Sequence, residues 1–120
     1  MLARLATIGE DGWPQVTPVW FEYRNGLVEV VSEKRTFKVR NMLRINRVAL
    51  VVDEEKSPNR SVMIKGLAEV VEDGVAEAIL RQAVRYLGEE DGKAYADSLD
   101  AKDFVLVRVR PAKIKTWSYR

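Results

Sequence analysis

The sequence predicts a mainly β fold, a small β-barrel with α-helices set to one side. Three observations predict it. Two hairpin signals, Gly9-Glu10-Asp11-Gly12 and Asn25-Gly26, join three successive strand-like runs. Two further apolar runs, Val48 to Val52 and Ser61 to Val71, read as strands. The helical periods fall between groups of strands rather than alternating with them, which argues against a parallel β-α-β sheet and for an α+β or partly open barrel.

Each element follows from its local pattern. Leu2 to Ile8 is the first strand. Gln15 to Tyr23 is the second, with β-branched and aromatic residues on both faces. Leu27 to Ser32 is the third, setting Val28 and Val30 against Leu27, Glu29 and Val31. From Thr36 to Asn46 the apolar residues Phe37, Val39, Met42, Leu43 and Ile45 recur at helical spacing, with Thr36 as N-cap. Val48 to Val52 is a buried strand, and Lys56 to Arg60, holding Ser57-Pro58-Asn59, is a loop. In Ser61 to Val71 one face is Val62, Ile64, Gly66, Ala68 and Val70. Gly74 opens a helix with the stripe Val75, Ile79, Ala83 and Leu87, and Gly88 stops it. Gly92 to Leu99 is a weaker helix. Phe104 to Arg110 is a strand, Pro111 interrupts it, and Ile114 to Trp117 resumes it.

The chain of 120 residues suits one domain, residues 1–120, with one core. Cysteine and histidine are both absent. Disulfides, zinc-thiolate sites and Ser/His/Asp or Cys/His catalysis are therefore excluded within this chain, and no metal site is expected. No signal peptide or apolar run of ~18 residues appears, so the expected setting is soluble and cytoplasmic, away from membranes. The net charge of +2 says little about partners, but its distribution says more. Lys34, Arg35, Lys38, Arg40, Arg44 and Arg47 crowd one stretch whose one acid is Glu33.

Ser32 to Asn41 is the first candidate site. A strand ends, a loop carries a hydroxyl and two cations, and a helix begins. Helix N-termini favour phosphate. Lys34, Lys38 and Asn41 share a face if the helix starts early enough. The segment reads either as a phosphate clamp or as a solvated basic face. Thr17-Pro18-Val19-Trp20-Phe21 is the second. Pro18 lacks an N–H, so it marks an edge strand, a bulge or a place where the strand turns away to admit a ligand. Trp117 and Tyr119 cover a site, dock in a partner's groove or pack as a tail. Trp13 is expected to pack locally in its turn. Adjacent carboxylates such as Glu54 and Glu55 read as solvated charges. No Walker-type loop, dinucleotide fingerprint or nucleophile elbow is present, and no wide basic surface suggests nucleic acid.

Leu5-Ala6-Thr7-Ile8 and Gly12-x-Pro14-Gln15-Val16-Thr17-Pro18-Val19-Trp20-Phe21 resemble the first hairpin of the pyridoxamine 5′-phosphate oxidase-related split β-barrels. Ser32 through Asn41, Asn46 through Asp53, Val62-x-Ile64-x-Gly66-x-Ala68 and Arg108 through Trp117 extend the resemblance over nearly the whole chain. The branch most resembled uses the deazaflavin coenzyme F420, and an FMN-using branch shares the outline. The resemblance implies a six-stranded antiparallel split β-barrel of FMN-binding type, a homodimer with two cofactor sites at its interface. It implies a ring along Thr17, Pro18, Val19 and Trp20. It implies a phosphate at Ser32, Arg35, Thr36 and above all Lys38, with Phe37 among the cofactor-binding residues. The loop Asn59 to Ser61, with Arg60 and Ser61 at the site, and the tail at Trp117 would help close it, from the same or the partner chain.

The implied function is hydride transfer between F420 or FMN and a small organic acceptor. A flavin reductase and a non-catalytic flavin carrier stay open beside it. The chain departs from the family in three ways. It starts at the first strand, Phe37 stands where a small residue is common, and the C-terminal substrate segment of true pyridoxamine phosphate oxidases is missing. Oxidation of vitamin B6 is therefore not the expected activity.

Overall fold

The strands β1 (Ala3–Ile8), β2 (Pro14–Val19), β3 (Glu22–Arg24), β4 (Leu27–Glu33), β5 (Arg47–Asp53), β6 (Arg60–Val71) and β7 (Phe104–Ser118) form one antiparallel sheet in a computed structural model that describes residues 1–118. The order is β2-β1-β5-β6-β7-β4-β3. The two edge strands, β2 and β3, are consecutive in the chain with only Trp20 and Phe21 between them. The sheet must therefore curl until its edges approach each other. The result is a half-barrel with a seam at Trp20-Phe21.

This seam corrects the expected single strand Gln15 to Tyr23 and the count of six strands. The chain pairs with β1 as far as Val19, then crosses to pair with β4 from Glu22. The backbone of Phe21 joins no ladder. Its N–H donates to the Tyr86 hydroxyl at 3.3 Å and its carbonyl accepts from Arg85 at 3.1 Å. Those side chains satisfy polar groups that a break in the sheet would otherwise leave open.

The long β6–β7 ladder holds a second correction. Pro111 does not end the strand, and β7 runs unbroken for 15 residues. A bulge between Lys65 and Gly66 shifts the register from Lys65–Lys113 to Gly66–Pro111. Proline is tolerated at such a bulge because no ladder N–H is demanded of it. Gly66 is required there, since a Cβ would stand 2.5 Å from the Arg110 carbonyl oxygen.

The interior packs Leu5, Val30, Val39, Met42, Leu50, Val107 and Val109 under the short helix α1 (Phe37–Arg44). Thr36 caps α1 as expected: its Oγ1 accepts from the Val39 N–H at 3.4 Å. The outer face of β4 and β7 is covered by α2 (Val75–Leu87) and α3 (Glu89–Asp97). The buried stripe of α2 includes Gln82, whose Nε2 donates to the Glu29 carbonyl at 3.1 Å, while Leu87 is exposed. Helix α3 begins three residues before the expected Gly92, directly after Gly88. Trp13 does not pack locally but stands in solvent at 73% exposure. Tyr119 lies outside the described residues. Among those described, no helix is long and apolar enough to cross a membrane.

Candidate functional site

A cleft of about 320 Å³ opens at the seam, between the end of β2, the end of β4, the start of α1 and the two outer helices. It brings together Pro18, Val19, Trp20, Ser32, Thr36 and Lys38 from two stretches of sequence that no local pattern connects. The seam explains the convergence. Strand β2 ends where the sheet closes, and β4 delivers Ser32 and the α1 cap to the same place.

One wall is aromatic. Trp20 stacks on Tyr86 with centroids 4.9 Å apart, and the Tyr95 ring stands tilted against it at 5.7 Å. Tyr86 is fixed by donating its hydroxyl to the Met1 carbonyl at 2.6 Å. Ile79, Leu99 and Phe104 continue the apolar lining. Offset or tilted aromatic contacts of this kind suit a flat ligand.

The other wall is polar. Ser32 Oγ donates to the Glu33 carbonyl at 3.0 Å and lies 3.2 Å from Thr36 Oγ1. Lys38 is half-buried and makes no ion pair among the described residues. The Glu33 side chain lines the cleft too, but on its exposed rim. The expected face of Lys34, Lys38 and Asn41 does not form. The helix starts at Phe37, after Lys34, and Lys34 is held by Glu72 at 2.5 Å. Asn41 turns inward, its Nδ2 donating to Thr7 Oγ1 at 3.0 Å and Gln15 Oε1 at 2.6 Å.

The remaining sequence candidates lie elsewhere. Thr17 pairs directly with Leu5, so its side chain shares the interior face and not the cleft. Its Oγ1 is the one buried side-chain polar atom left without a partner among the described residues. Arg35 is exposed outside the cleft lining. Phe37 is exposed as well, under the Arg40 guanidinium at 4.6 Å. Arg60 is engaged by Glu54 at 2.5 Å and 3.0 Å. Ser61 is the register partner of Trp117. Glu33 pairs with Phe104 at one end of β7, while Trp117 stands at the other. Thirteen residues of strand at ~3.3 Å each separate the two, roughly 40 Å along the chain. Arg60, Ser61 and Trp117 therefore form a second cluster, apart from Lys38 within one chain.

Tyr86, Tyr95 and Gln82 are cleft or wall residues that the sequence did not reveal. Each sits on α2 or α3, where its pattern reads as ordinary helix. One uncompensated cation and a helix start, flanked by two hydroxyls that donate to the Glu33 carbonyl and facing an aromatic wall, fit a ligand with an anionic tail and a flat ring.

The curled antiparallel sheet with its seam cleft and outer helix pair defines a split β-barrel. The family model described as pyridoxamine 5′-phosphate oxidase matches residues 1–118, and the chain belongs to that family. It is 32% identical to the 5a,11a-dehydrotetracycline/5a,11a-dehydrooxytetracycline reductase of Streptomyces rimosus over 95% of this chain and 72% of that protein. A solved conserved hypothetical protein of Mycobacterium tuberculosis superposes with a TM-score of 0.80 at 28% identity, over 99% of this chain and 78% of that one. A solved F420 reductase gives 0.79 at 27% identity, over 96% and 89%.

Proposed function

We propose that this protein is an oxidoreductase that holds a flavin-type cofactor, coenzyme F420 or FMN, in the seam cleft and serves hydride transfer to a small organic acceptor. The observation that carries the reading is Lys38, a half-buried cation with no carboxylate partner, set beside the α1 cap and opposite the Trp20 wall. Two relatives named as reductases support it. The cofactor supplies the hydride chemistry, which suits a chain without histidine or cysteine.

The protein's own residues bind and orient. Lys38, with the free N–H groups at the start of α1, meets the phosphate. Ser32 and Thr36 flank it. The backbone at Pro18 and Val19 lies along the ring, and Trp20 excludes water on one side. Thr17 supports this strand from the barrel interior. In this reading a homodimer completes the site, with the Arg60, Ser61 and Trp117 cluster of a second copy closing the cleft; the placement of Trp117 and Glu33 at opposite ends of β7 supports it.

Separate titrations with FMN and with F420 test the reading. Binding of one, followed by its reduction and reoxidation by an added acceptor, is expected. A protein that binds a cofactor but never turns it over is a carrier. A protein that binds neither overturns the assignment.

A further inference from the structure

A second pocket, of about 540 Å³, opens between the β1–β2 turn and α1 and shares no residue with the seam cleft. Its size falls in the range of small-molecule sites. The turn supplies Glu10 and Asp11, and α1 supplies Arg40 and Arg44. The two arginines lie one helical turn apart, where like charges repel each other. Yet neither they nor the two carboxylates form an ion pair among the described residues.

Local anchors hold these charges apart. Arg44 donates to the Ile8 carbonyl at 2.6 Å. The Arg40 guanidinium lies over the Phe37 ring at 4.6 Å. Asp11 Oδ1 accepts from the Trp13 N–H at 3.0 Å. Gly9 lets this carboxylate fold back over the turn, since a Cβ there would stand 2.9 Å from Asp11 Oδ1. The pocket therefore keeps a cationic side and an anionic side that do not neutralise each other.

Its base adds an open acceptor. Asn41 is 4% exposed and lines the pocket. Its Nδ2 is spent on Thr7 and Gln15, but its Oδ1 accepts no hydrogen bond among the described residues. Thr17 Oγ1 is the one fully buried side-chain polar atom there without a partner. Asn41 Oδ1 therefore reaches open space, and the pocket is the space that Asn41 lines. An acceptor so nearly enclosed is costly unless a donor meets it.

We propose that this pocket binds a short peptide with free termini. The peptide carboxylate meets Arg40 and Arg44, its ammonium meets Glu10 and Asp11, and Asn41 Oδ1 accepts from one of its N–H groups. The two sides stand too far apart to pair directly, so the ligand must carry opposite charges at separate ends. The open acceptor asks for an N–H as well, and a peptide zwitterion has all three groups. The pocket is separate from the seam cleft, and the proposal does not rest on the cofactor reading.

The test is an NMR titration of the unloaded protein with triglycine, following the Asn41 side-chain amide. A saturable shift of that amide is expected. N-acetyl-triglycine, which lacks the ammonium, and triglycine amide, which lacks the carboxylate, should each bind about fivefold more weakly, near the top of the range for an exposed ion pair. Arg40→Gln should lose most of the gap between triglycine and its amide, and Glu10→Gln most of the gap between triglycine and its N-acetyl form. Both residues are exposed, so neither change should disturb the fold. N-acetyl-triglycine binding as tightly as triglycine would leave a plain anion site and overturn the proposal. A titration that moves the Trp20 indole and not the Asn41 amide would overturn it too, as would no shift at either.

Discussion

Trp20 lies flat on Tyr86, with ring planes within 2° and centroids 4.9 Å apart. One residue belongs to the seam of the sheet and the other to α2. The stack is thus the point where the outer helix fixes the edge of the barrel beside the cleft. The Tyr86 hydroxyl adds two hydrogen bonds, to the Met1 carbonyl and from the Phe21 N–H.

Tyr86→Phe should keep the stack and lose both bonds. Stability in urea denaturation should fall by about 1–2 kcal/mol, with cofactor affinity unchanged. Tyr86→Ala removes the ring as well. A loss of about 3 kcal/mol is expected, now accompanied by weaker cofactor binding because Trp20 loses its support. Equal effects of the two variants would show that the stack contributes nothing.

Lys38→Ala should weaken binding of FMN or F420 by roughly 1.5–3 kcal/mol, the scale of a charge-assisted hydrogen bond. Riboflavin, which lacks the phosphate, should bind wild type and Lys38→Ala alike. Lys34→Ala provides the contrast. Lys34 is occupied by Glu72, so its removal should leave cofactor affinity unchanged in the same titration. A matching loss in both variants would point to a diffuse basic face rather than a clamp.

The strands, both hairpin turns and the Thr36 cap were legible because each rests on residues close in sequence. Pro18, Val19 and Trp20 share one cleft with Ser32, Thr36 and Lys38, a convergence that only the family resemblance suggested. The break at Trp20-Phe21 was not legible, because its hydrogen-bond partners Arg85 and Tyr86 come from α2, more than sixty residues away. Tyr95 was hidden for the same reason. The stripe of α2 was read from apolar residues, so a buried Gln82 bonded to a distant carbonyl fell outside it. Lys34 looked like a partner of Lys38, but Glu72, just past the end of β6, pairs with it.

Glu54 and Glu72 carry a pH signature. A side-chain hydrogen bond from Arg60 holds the Glu54 carboxyl below its ordinary value, and Lys34 does the same for Glu72. A depressed folded-state pKa gives stabilisation that is complete above the ordinary glutamate value of ~4.3 and lost as pH falls through the lower folded value. Protection of the 54–60 loop amides, taken as exchange relative to the intrinsic rate at each pH, should therefore fall only in that acid range. The effect should shrink in high salt and vanish in Glu54→Gln, because the pair is partly open to solvent. Loss of protection at neutral pH would contradict this.

Glu29 is the buried charge that ties α2 to the sheet. It is 3% exposed, with Arg81 at 3.3 Å on one oxygen and Arg108 at 3.3 Å on the other. Arg81 also reaches Glu22 at 2.8 Å, so the network joins β3, β4, β7 and α2. Glu29→Ala leaves Arg108 without its carboxylate and Arg81 with Glu22 alone, and should cost about 3 kcal/mol in urea denaturation. Replacing Glu29 and Arg81 together by leucine removes the desolvation of both charges but leaves Glu22 and Arg108 unpaired, so part of that loss should return. The cleft supplies the second readout. Ile79 and Gln82 reach it from the same turns of α2 that Arg81 anchors. If the network only adds stability, the double variant should bind cofactor as wild type does. If it also sets where α2 lies, the double variant should be stable yet bind more weakly, and the latter is expected, because hydrophobic contact holds the helix down without fixing its position along the sheet.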